Sequence, residues 1–308
     1  MGTMQQQTRA TCFALATVAI WSTVASAFKI SLRHLSVVQL LLLASLTSLA
    51  VLLVMLAWQG RLSQLFRLGK RDLLLSALFG LLNPFAYYLV LFKAYDLLPA
   101  QEAQPLNYTW AITLSLLSVP LLGQRLRLLD LLALAVSYAG VLVIATRGNV
   151  LSFELSNPLG VMLALGSTLI WALYWILNTR DPVDPVLRLC TNFAFGSLYT
   201  ALLIVALGDP ILSGWRGMLG AAYVGAFEMG ITFVLWLTAL RLSSSAARVS
   251  IFIYLSPFLS LVLIHFLVGE EIYPSTLVGL VCIMAGIGLQ QVRKRPKAGS
   301  KLKAQSSK

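Results

Sequence analysis

The sequence predicts an all-α integral membrane protein with ten transmembrane helices, arranged as two inverted five-helix repeats. Composition is the first reason: 58% of the 308 residues are hydrophobic, 11% are charged, and the mean hydropathy is +0.84. A soluble domain is about 45–50% apolar and about one quarter charged. This chain therefore cannot cover a water-facing surface of its size. Recurring apolar windows and an internal repeat are the second and third reasons.

Apolar windows long enough to cross a bilayer recur along the whole chain. A helix needs about 20 apolar residues to cross the hydrocarbon core. The windows predict spans at residues 10–28, 35–58, 73–95, 98–122, 128–146, 158–179, 187–207, 216–240, 246–268 and 274–292. The connections between them are too short for a soluble domain. Residues 293–308 are predicted to form a polar, basic cytoplasmic tail.

The distribution of basic residues predicts the orientation of these spans. Of the 23 Lys and Arg residues, 18 fall on the side of the N-terminus, the even-numbered loops and the tail, and five fall on the other side. Because basic residues stay on the cytoplasmic side, both termini are predicted to be cytoplasmic. The net charge of +12 therefore reflects topology, whereas nucleic-acid binding needs basic residues clustered on one exposed face.

The second half of the chain repeats the first. Ala14-Leu15 and Ile20-Trp21 of span one recur as Ala164-Leu165 and Ile170-Trp171 of span six. At an offset of 145, Gly80 and Ala94 match Gly225 and Ala239. At an offset of 146, five residues match: Tyr108, Gly123, Leu131, Ala139 and Gly140 correspond to Tyr254, Gly269, Leu277, Ala285 and Gly286. The predicted repeats are residues 10–146 and 158–292. Because each holds an odd number of spans, the second enters the membrane from the opposite side.

Two consequences follow from the repeat. Inverted repeats are typical of alternating-access transporters, in which the substrate site lies near the midplane where the repeats meet. The repeat also bears on Ala25-Ser26-Ala27, which resembles a signal-peptide cleavage site after the first apolar stretch. Cleavage there would remove the partner of span six, so the sequence favours a retained first span.

Several short sequences resemble the EamA family of the drug/metabolite transporter superfamily. They are the Ala-Leu-x4-Ile-Trp pattern of spans one and six, Ala-Leu-Arg-Leu at 239–242, Tyr-Leu-Ser-Pro-Phe at 254–258, Gly269-Glu270 and Ala285-Gly286. The first repeat departs from this pattern, with Gln124 opposite Glu270 and Ala111 opposite Pro257. The resemblance implies a multi-pass protein of the bacterial inner membrane that exports amino acids, including aromatic ones, or related small metabolites.

A carboxyl group near the middle of a span is the leading candidate for function. Charges at bilayer depth are costly and mark functional sites by default. Glu228 lies about halfway along span eight, and its repeat partner is Asn83, which precedes Pro84. Glu228 can bind a substrate ammonium or take up a proton. Alternatively, it is a protonated carboxyl that hydrogen-bonds a neighbouring helix.

Aromatic residues in the middle of the spans predict a central cavity. Buried indoles and phenols need partners for their N–H and O–H groups, and aromatic faces hold cations or stack on planar ligands. The candidate substrate-binding set is Trp21, Asn83, Tyr87, Tyr108, Trp110, Trp171, Trp175, Glu228 and Tyr254. For each aromatic residue alone, ordinary helix packing explains the position equally well.

Two charges at the predicted ends of the cavity have two equal interpretations. Glu102 begins span four on the outer side, and Arg248 loosely matches it at the inner start of span nine. They either belong to gates on opposite sides or extend to their own interfaces as long polar side chains do.

These features predict a secondary transporter that uses no cofactor. The chain has no Walker A sequence, no HExxH pattern, and three isolated cysteines without CxxC spacing, which argues against an ATP-driven pump or a metal site. The expected partners are a small-molecule substrate, protons if transport is coupled, and membrane lipids, with no nucleic acid. The alternatives are a proton-coupled transporter of another class, such as a nucleoside or a drug-like amine, and, less favoured, an intramembrane enzyme.

Overall fold

The apolar segments fold into helices, because a backbone in hydrocarbon must satisfy its hydrogen bonds within the segment. The computed structural model describes residues 2–123, 128–151, 155–178, 181–210, 214–243 and 251–293. Every regular element within these ranges is helical.

Thirteen α-helices are found in the described residues. The first repeat holds α1 (Gly2–Leu32), α2 (Val37–Trp58), α3 (Lys70–Gly80), α4 (Tyr87–Leu97), α5 (Ala100–Tyr108), α6 (Trp110–Leu122) and α7 (Leu128–Ala145). The second holds α8 (Pro158–Asn178), α9 (Pro185–Leu207), α10 (Trp215–Tyr223), α11 (Thr232–Leu242), α12 (Ser256–Leu263) and α13 (Pro274–Arg293). Short 3₁₀ helices cover Leu62–Arg67 and Ile251–Leu255.

Local sequence explains where several helices begin and end. Ser36 accepts a hydrogen bond from the Gln39 backbone N–H, and the Gln39 side chain accepts from the Ser36 N–H, which forms a capping box before α2. Asp184 accepts hydrogen bonds from two backbone N–H groups at the start of α9. Pro185 follows it, and since proline has no backbone N–H, it leaves no unpaired donor at this first position of the helix. Gly208 ends α9 with φ of 71°, a left-handed conformation that glycine adopts without steric cost.

Within the part of the chain that the structure describes, seven helical stretches are long and apolar enough to cross a membrane. They are Gln6–Leu32, Val37–Trp58, Lys70–Leu97, Leu128–Ala145, Pro158–Asn178, Pro185–Leu207 and Trp215–Trp236, with shorter apolar helices at Ser256–Val268 and Pro274–Leu289. The segment 98–122, predicted as one span, consists of α5 and α6 with Thr109 between them. The chain is therefore a multi-pass helical membrane protein, and ten spans remain a prediction.

Spans three and eight each contain a π-helical stretch at their centre. Leu81–Ala86 joins α3 to α4, and Val224–Ile231 joins α10 to α11. In the first, Asn83 is non-helical, with φ of −145° and ψ of 116°, and Pro84 contributes no N–H. Such turns place one extra residue in the helix and are frequent at functional sites. Asn83 and Glu228, the predicted repeat partners, both lie in these stretches.

The contact between α7 and α13 has the reciprocity of a twofold axis. A β-carbon on Gly140 would lie 2.5 Å from the Gly279 carbonyl oxygen, and one on Gly286 would lie 2.5 Å from the Ala133 carbonyl oxygen. The offset of 146 that relates Gly140 to Gly286 also relates Ala133 to Gly279. These helices therefore touch through the same surface of each repeat.

Other helices also make matching contacts in the two repeats. Helix α4 of the first repeat packs on α8 of the second, and its counterpart α11 of the second repeat packs on α1 of the first. Helix α2 packs directly on its own counterpart, α9. Gly80 of α3 approaches the Asn192 carbonyl of α9, where a β-carbon would lie 2.5 Å from the oxygen. Its counterpart Gly225 approaches the Ala44 carbonyl of α2 in the same manner. Helices α1, α4, α5, α6, α8 and α11 surround the space between the repeats.

Candidate functional site

A cavity of about 660 Å³ lies between the two repeats. Aromatic and small polar side chains from both repeats form its wall. Seven of the predicted site residues line it: Trp21, Tyr87, Tyr108, Trp110, Trp171, Trp175 and Glu228. Among the described residues of the lining, Glu228 is the only charged one. A volume of this size suits a small organic molecule.

The two carboxylate oxygens of Glu228 have different surroundings. The Tyr88 hydroxyl donates to Oε1 at 3.3 Å, and the indole of Trp21 lies beside the carboxyl group. Oε2 has no hydrogen-bond partner among the described residues. Because buried polar atoms are normally paired, this oxygen is available to a ligand that carries a donor.

A stacked aromatic wall faces the cavity from α4 and α8. The rings of Tyr87 and Trp171 stack with centroids 4.5 Å apart and planes at 27°. Trp175, one turn after Trp171, meets it edge-on at 5.8 Å, and Phe233 of α11 contacts Trp171 at 6.3 Å. Across the cavity, Trp21 packs on Trp236 at 5.6 Å. Such faces can hold a cation or a planar ring.

Two predicted site residues are not placed in the lining. Asn83 is buried behind Tyr174, next to its hydroxyl group, and Tyr174 separates it from the cavity. The physical reason is the non-helical turn at Asn83, which directs it to α8 and α9 while Pro84 packs on Gly196. Tyr254 lies in the 3₁₀ helix Ile251–Leu255, but its side chain is outside the described residues.

Several lining residues are outside the predicted substrate-binding set. Gln104 and Asn107 of α5 and Tyr174 of α8 line the cavity, as does Trp236 of α11. Asn107 accepts from the Tyr87 hydroxyl at 3.4 Å and donates to Ser167 of α8 at 2.9 Å. The polar run 101–107 is a signal in the sequence, but only the helical register shows which of its residues face inward.

One end of the cavity, which we call the closed end, is covered where α4 ends and α5 begins. The Glu102 side chain is completely buried there and pairs with Arg147 at 2.8 Å. The Ser156 hydroxyl donates to its other oxygen at 2.5 Å. The hydrogen bond from Arg147 to Glu102 raises the pKa of the Arg147 guanidinium above its ordinary value, so Arg147 stays charged. The pair joins α5 to the connection between the repeats.

Glu270 adds a second contact at the closed end. Its two carboxylate oxygens accept from the backbone N–H groups of Ala100 at 2.7 Å and Gln101 at 3.1 Å. A carboxylate at this position also complements the positive N-terminal end of α5. The Gln101 amide donates to the Glu271 carbonyl at 2.6 Å. The start of α5 is thus held by the segment that follows α12.

The end of α1 completes the closed end. Lys29 donates to the carbonyls of Tyr95 and Leu98, both at 2.7 Å, where α4 ends. Arg33 donates to the Val268 carbonyl at 2.7 Å. Cations at these positions complement the negative ends of the helices whose carbonyls they bind. Closure therefore depends on contacts between helices rather than within them.

The other end of the cavity, which we call the mouth, reaches the surface. Its lining includes Leu122 at the end of α6, Asn178 at the end of α8 and the exposed Pro185 at the start of α9. Beside it, Arg188 of α9 pairs with Asp181 and donates to the Ser76 hydroxyl of α3 at 2.6 Å. Arg248, the predicted charge at this end, lies outside the described residues.

The geometry suits binding and passage of a small molecule. Within the described residues, no three His, Cys, Asp or Glu side chains are grouped as metal ligands. One carboxylate, several polar atoms without a partner among the described residues, and stacked aromatic rings can hold a ligand that combines an amine with a planar group.

The comparisons with known proteins agree with this arrangement. The model of the EamA-like transporter family matches residues 8–146 and 158–290. An uncharacterized transporter of Clostridium kluyveri is 25% identical over 254 residues, which is 80% of this chain and 81% of that protein. An aromatic amino acid exporter, YddG, of Ancylobacter novellus is 25% identical over 209 residues, 67% of this chain and 71% of that protein. A solved crystal structure aligns with TM-score 0.67 at 20% identity, covering 94% of this chain and 98% of that one, and this likeness concerns the fold alone.

Proposed function

Because the chain belongs to the EamA-like transporter family, we propose that it is a secondary transporter that exports aromatic amino acids or related small metabolites by alternating access. The observation that carries the proposal is the cavity between the repeats, with Glu228 as its only charged described lining residue. The similarity to an aromatic amino acid exporter supports the substrate class.

The proposed topology has ten spans, in repeats at 10–146 and 158–292, and a cytoplasmic basic tail at 293–308. The count of 18 against five basic residues supports both termini on the cytoplasmic side of a bacterial inner membrane. With that orientation, the closed end faces the periplasm and the mouth faces the cytoplasm. The described conformation is then the inward-facing state, in which an exporter loads its substrate.

In the proposed cycle, the substrate enters through the mouth and its ammonium group pairs with Glu228 Oε2. Its ring packs on the wall formed by Tyr87 and Trp171. Opening to the periplasm requires release of the contacts of Glu102, Glu270, Lys29 and Arg33. The repeats then exchange roles across the contact between α7 and α13, as inverted repeats do in alternating access. The cavity leaves uniport and proton coupling open, since Glu228 can bind either an ammonium group or a proton.

A second substrate class, an aromatic amine without a carboxylate, is favoured by one observation. Glu228 complements a cation, and no described lining residue supplies a cation for a substrate carboxylate. Donors such as the Trp175 indole N–H, which has no partner among the described residues, are available to that carboxylate in an amino acid. An amino acid therefore requires hydrogen-bond donors in the cavity for its carboxylate, whereas an aromatic amine does not.

Two experiments test the proposal. A metabolite profile of the medium should show a specific rise in an aromatic amino acid or amine when the chain is overexpressed, compared with vector and with Glu228→Gln. No difference would contradict the proposed export.

Alkaline phosphatase fused after Val292 should be inactive, because the fusion lies in the cytoplasm. An active fusion would contradict the ten-span topology.

A further inference from the structure

Gln104 of α5 has an unusual environment for a buried amide. Its side chain is 5% exposed, its Oε1 has no hydrogen-bond partner among the described residues, and it lines the cavity. Buried polar atoms in folded proteins are nearly always paired. An unpaired acceptor on a residue that lines a cavity is therefore a position for a ligand that brings a donor.

Gln104 and Glu228 both line the cavity, and a pair of adjacent tyrosines lies between the elements that carry them. Tyr87 and Tyr88 are adjacent in sequence, and their ring centroids are 4.8 Å apart. The Tyr88 hydroxyl binds Glu228, and the Tyr87 hydroxyl binds Asn107, one turn after Gln104. One tyrosine thus contacts Glu228, and the other contacts the turn of α5 that carries Gln104. Glu228 Oε2 and Gln104 Oε1 both lack a partner among the described residues.

We propose that Gln104 is a substrate-binding residue that selects a primary ammonium group. A primary ammonium has three N–H donors, so it can pair with Glu228 by charge while it donates to Gln104. A quaternary ammonium carries the same charge but has no N–H donor. Glu228 and the aromatic rings attract both kinds of cation, and Gln104 distinguishes between them. This inference rests on the proposed function, because it concerns the substrate of the same cavity.

The position of Gln104 is fixed by the closed end. Glu102, two residues earlier on α5, is held by Arg147 and Ser156, and the first N–H groups of α5 are held by Glu270. Binding sites on rigid elements discriminate better, since little ordering is needed when the ligand arrives. Gln104 is therefore placed to act in the same inward-facing conformation in which substrate enters.

The test compares ligands that differ only in their donors. Binding of phenylalanine and its N,N,N-trimethyl derivative, and of 2-phenylethylamine and its N,N,N-trimethyl derivative, is measured by tryptophan fluorescence of purified protein. Gln104→Met should reduce the preference for the primary over the quaternary form by about tenfold, which corresponds to one hydrogen bond to a charged donor. Gln104→Leu provides a second apolar variant if the first folds poorly.

The matched control is Gln39→Met at the start of α2. Gln39 is also buried, but both ends of its amide are paired, with the Ser36 N–H and the Pro210 carbonyl. Its substitution should leave the preference unchanged. Unliganded Gln104→Met should also unfold at a temperature no lower than wild type, whereas a structural role for Gln104 would lower it.

The outcomes separate this inference from the proposed function. Wild-type binding with an unchanged preference in both Gln104 variants would overturn the assignment of Gln104 alone. Wild-type binding of the amines but not of phenylalanine would contradict amino-acid export. The assignment of Gln104 is then decided by 2-phenylethylamine and its N,N,N-trimethyl derivative alone. A wild type that binds none of the four would contradict the proposed substrate classes, and the assignment of Gln104 falls with them.

Discussion

Glu102 and Arg147 form an ion pair whose two members lie in very different environments. The Glu102 side chain is 0% exposed and the Arg147 side chain is 45% exposed, with 2.8 Å between Oε1 and Nε. If Arg147 is removed, a carboxylate remains buried without its cation. If Glu102 is neutralised, Arg147 can turn to water. Removing Arg147 should therefore lower the stability of the protein more than neutralising Glu102.

This asymmetry gives the first prediction. Arg147→Met should lower the free energy of unfolding by about 3 kcal/mol, as expected when a buried charge loses its partner. Glu102→Gln should cost less, because Gln keeps an acceptor for Ser156. Thermal unfolding in detergent measures both. Asp96→Asn, in the exposed pair with Lys93, is the control and should change stability by less than about 1 kcal/mol. Equal losses for the two main variants would contradict the role given to burial.

Weakening the closed end should also admit reagent from the periplasm. Ala111 lines the cavity, and Ala111→Cys in a background without Cys12, Cys190 and Cys282 reports access to it. Adding Glu102→Gln should increase its labelling by an impermeant thiol reagent in intact cells several-fold. Labelling equal to that of Ala111→Cys with Asp96→Asn would show that Glu102 does not keep this end closed.

The second prediction concerns the reciprocal contact of α7 and α13. Gly140→Ala and Gly286→Ala each force a β-carbon to within 2.5 Å of a carbonyl oxygen, and overpacking of this kind costs about 1–3 kcal/mol. Gly288→Ala, in the same helix as Gly286 and with open space around it, should be neutral or slightly stabilising. Comparison of melting temperatures tests this; a loss at Gly288 as large as at Gly286 would contradict the close packing.

The third prediction concerns Arg188 beside the mouth. Its side chain is 1% exposed and pairs with Asp181, which is 2% exposed. Arg188→Met should therefore destabilise the protein by about 3–5 kcal/mol. Arg61→Met removes a more exposed pair with Asp184 and should cost less than about 1 kcal/mol. The double variant Arg188→Met with Asp181→Leu should recover part of the loss in chemical denaturation, and an additive loss would argue against coupling.

Much of the helical architecture could be predicted from hydropathy. The predicted spans 35–58 and 158–179 lie close to α2 (Val37–Trp58) and α8 (Pro158–Asn178). The division of span four at Thr109 was not predicted, because hydropathy alone does not show where a helix is interrupted. The same holds for the π-helical stretches, since hydropathy reports depth and not the local backbone path.

For the candidate site, the sequence indicated which residues lie near the middle of the membrane, but not which way their side chains point. Seven predicted residues line one cavity, because midspan aromatic residues and a midspan carboxyl have few other environments. Asn83 shares the depth of Glu228 but turns away behind Tyr174. The pairing of Glu102 with Arg147 joins positions far apart in the chain, and the sequence alone left Glu102 with two equal interpretations.

The central claim is that Glu228 acts in transport through the cavity, and one measurement tests it most directly. Phenylalanine and 2-phenylethylamine transport is followed across a range of pH in proteoliposomes that contain wild type, Glu228→Gln or the control Glu271→Gln, whose residue lies on the surface. Glu228→Gln keeps the shape of the side chain and removes its charge and its proton. We predict that it folds normally and loses transport, or its pH dependence, while Glu271→Gln behaves as wild type. Full transport with normal pH dependence by Glu228→Gln would contradict the account.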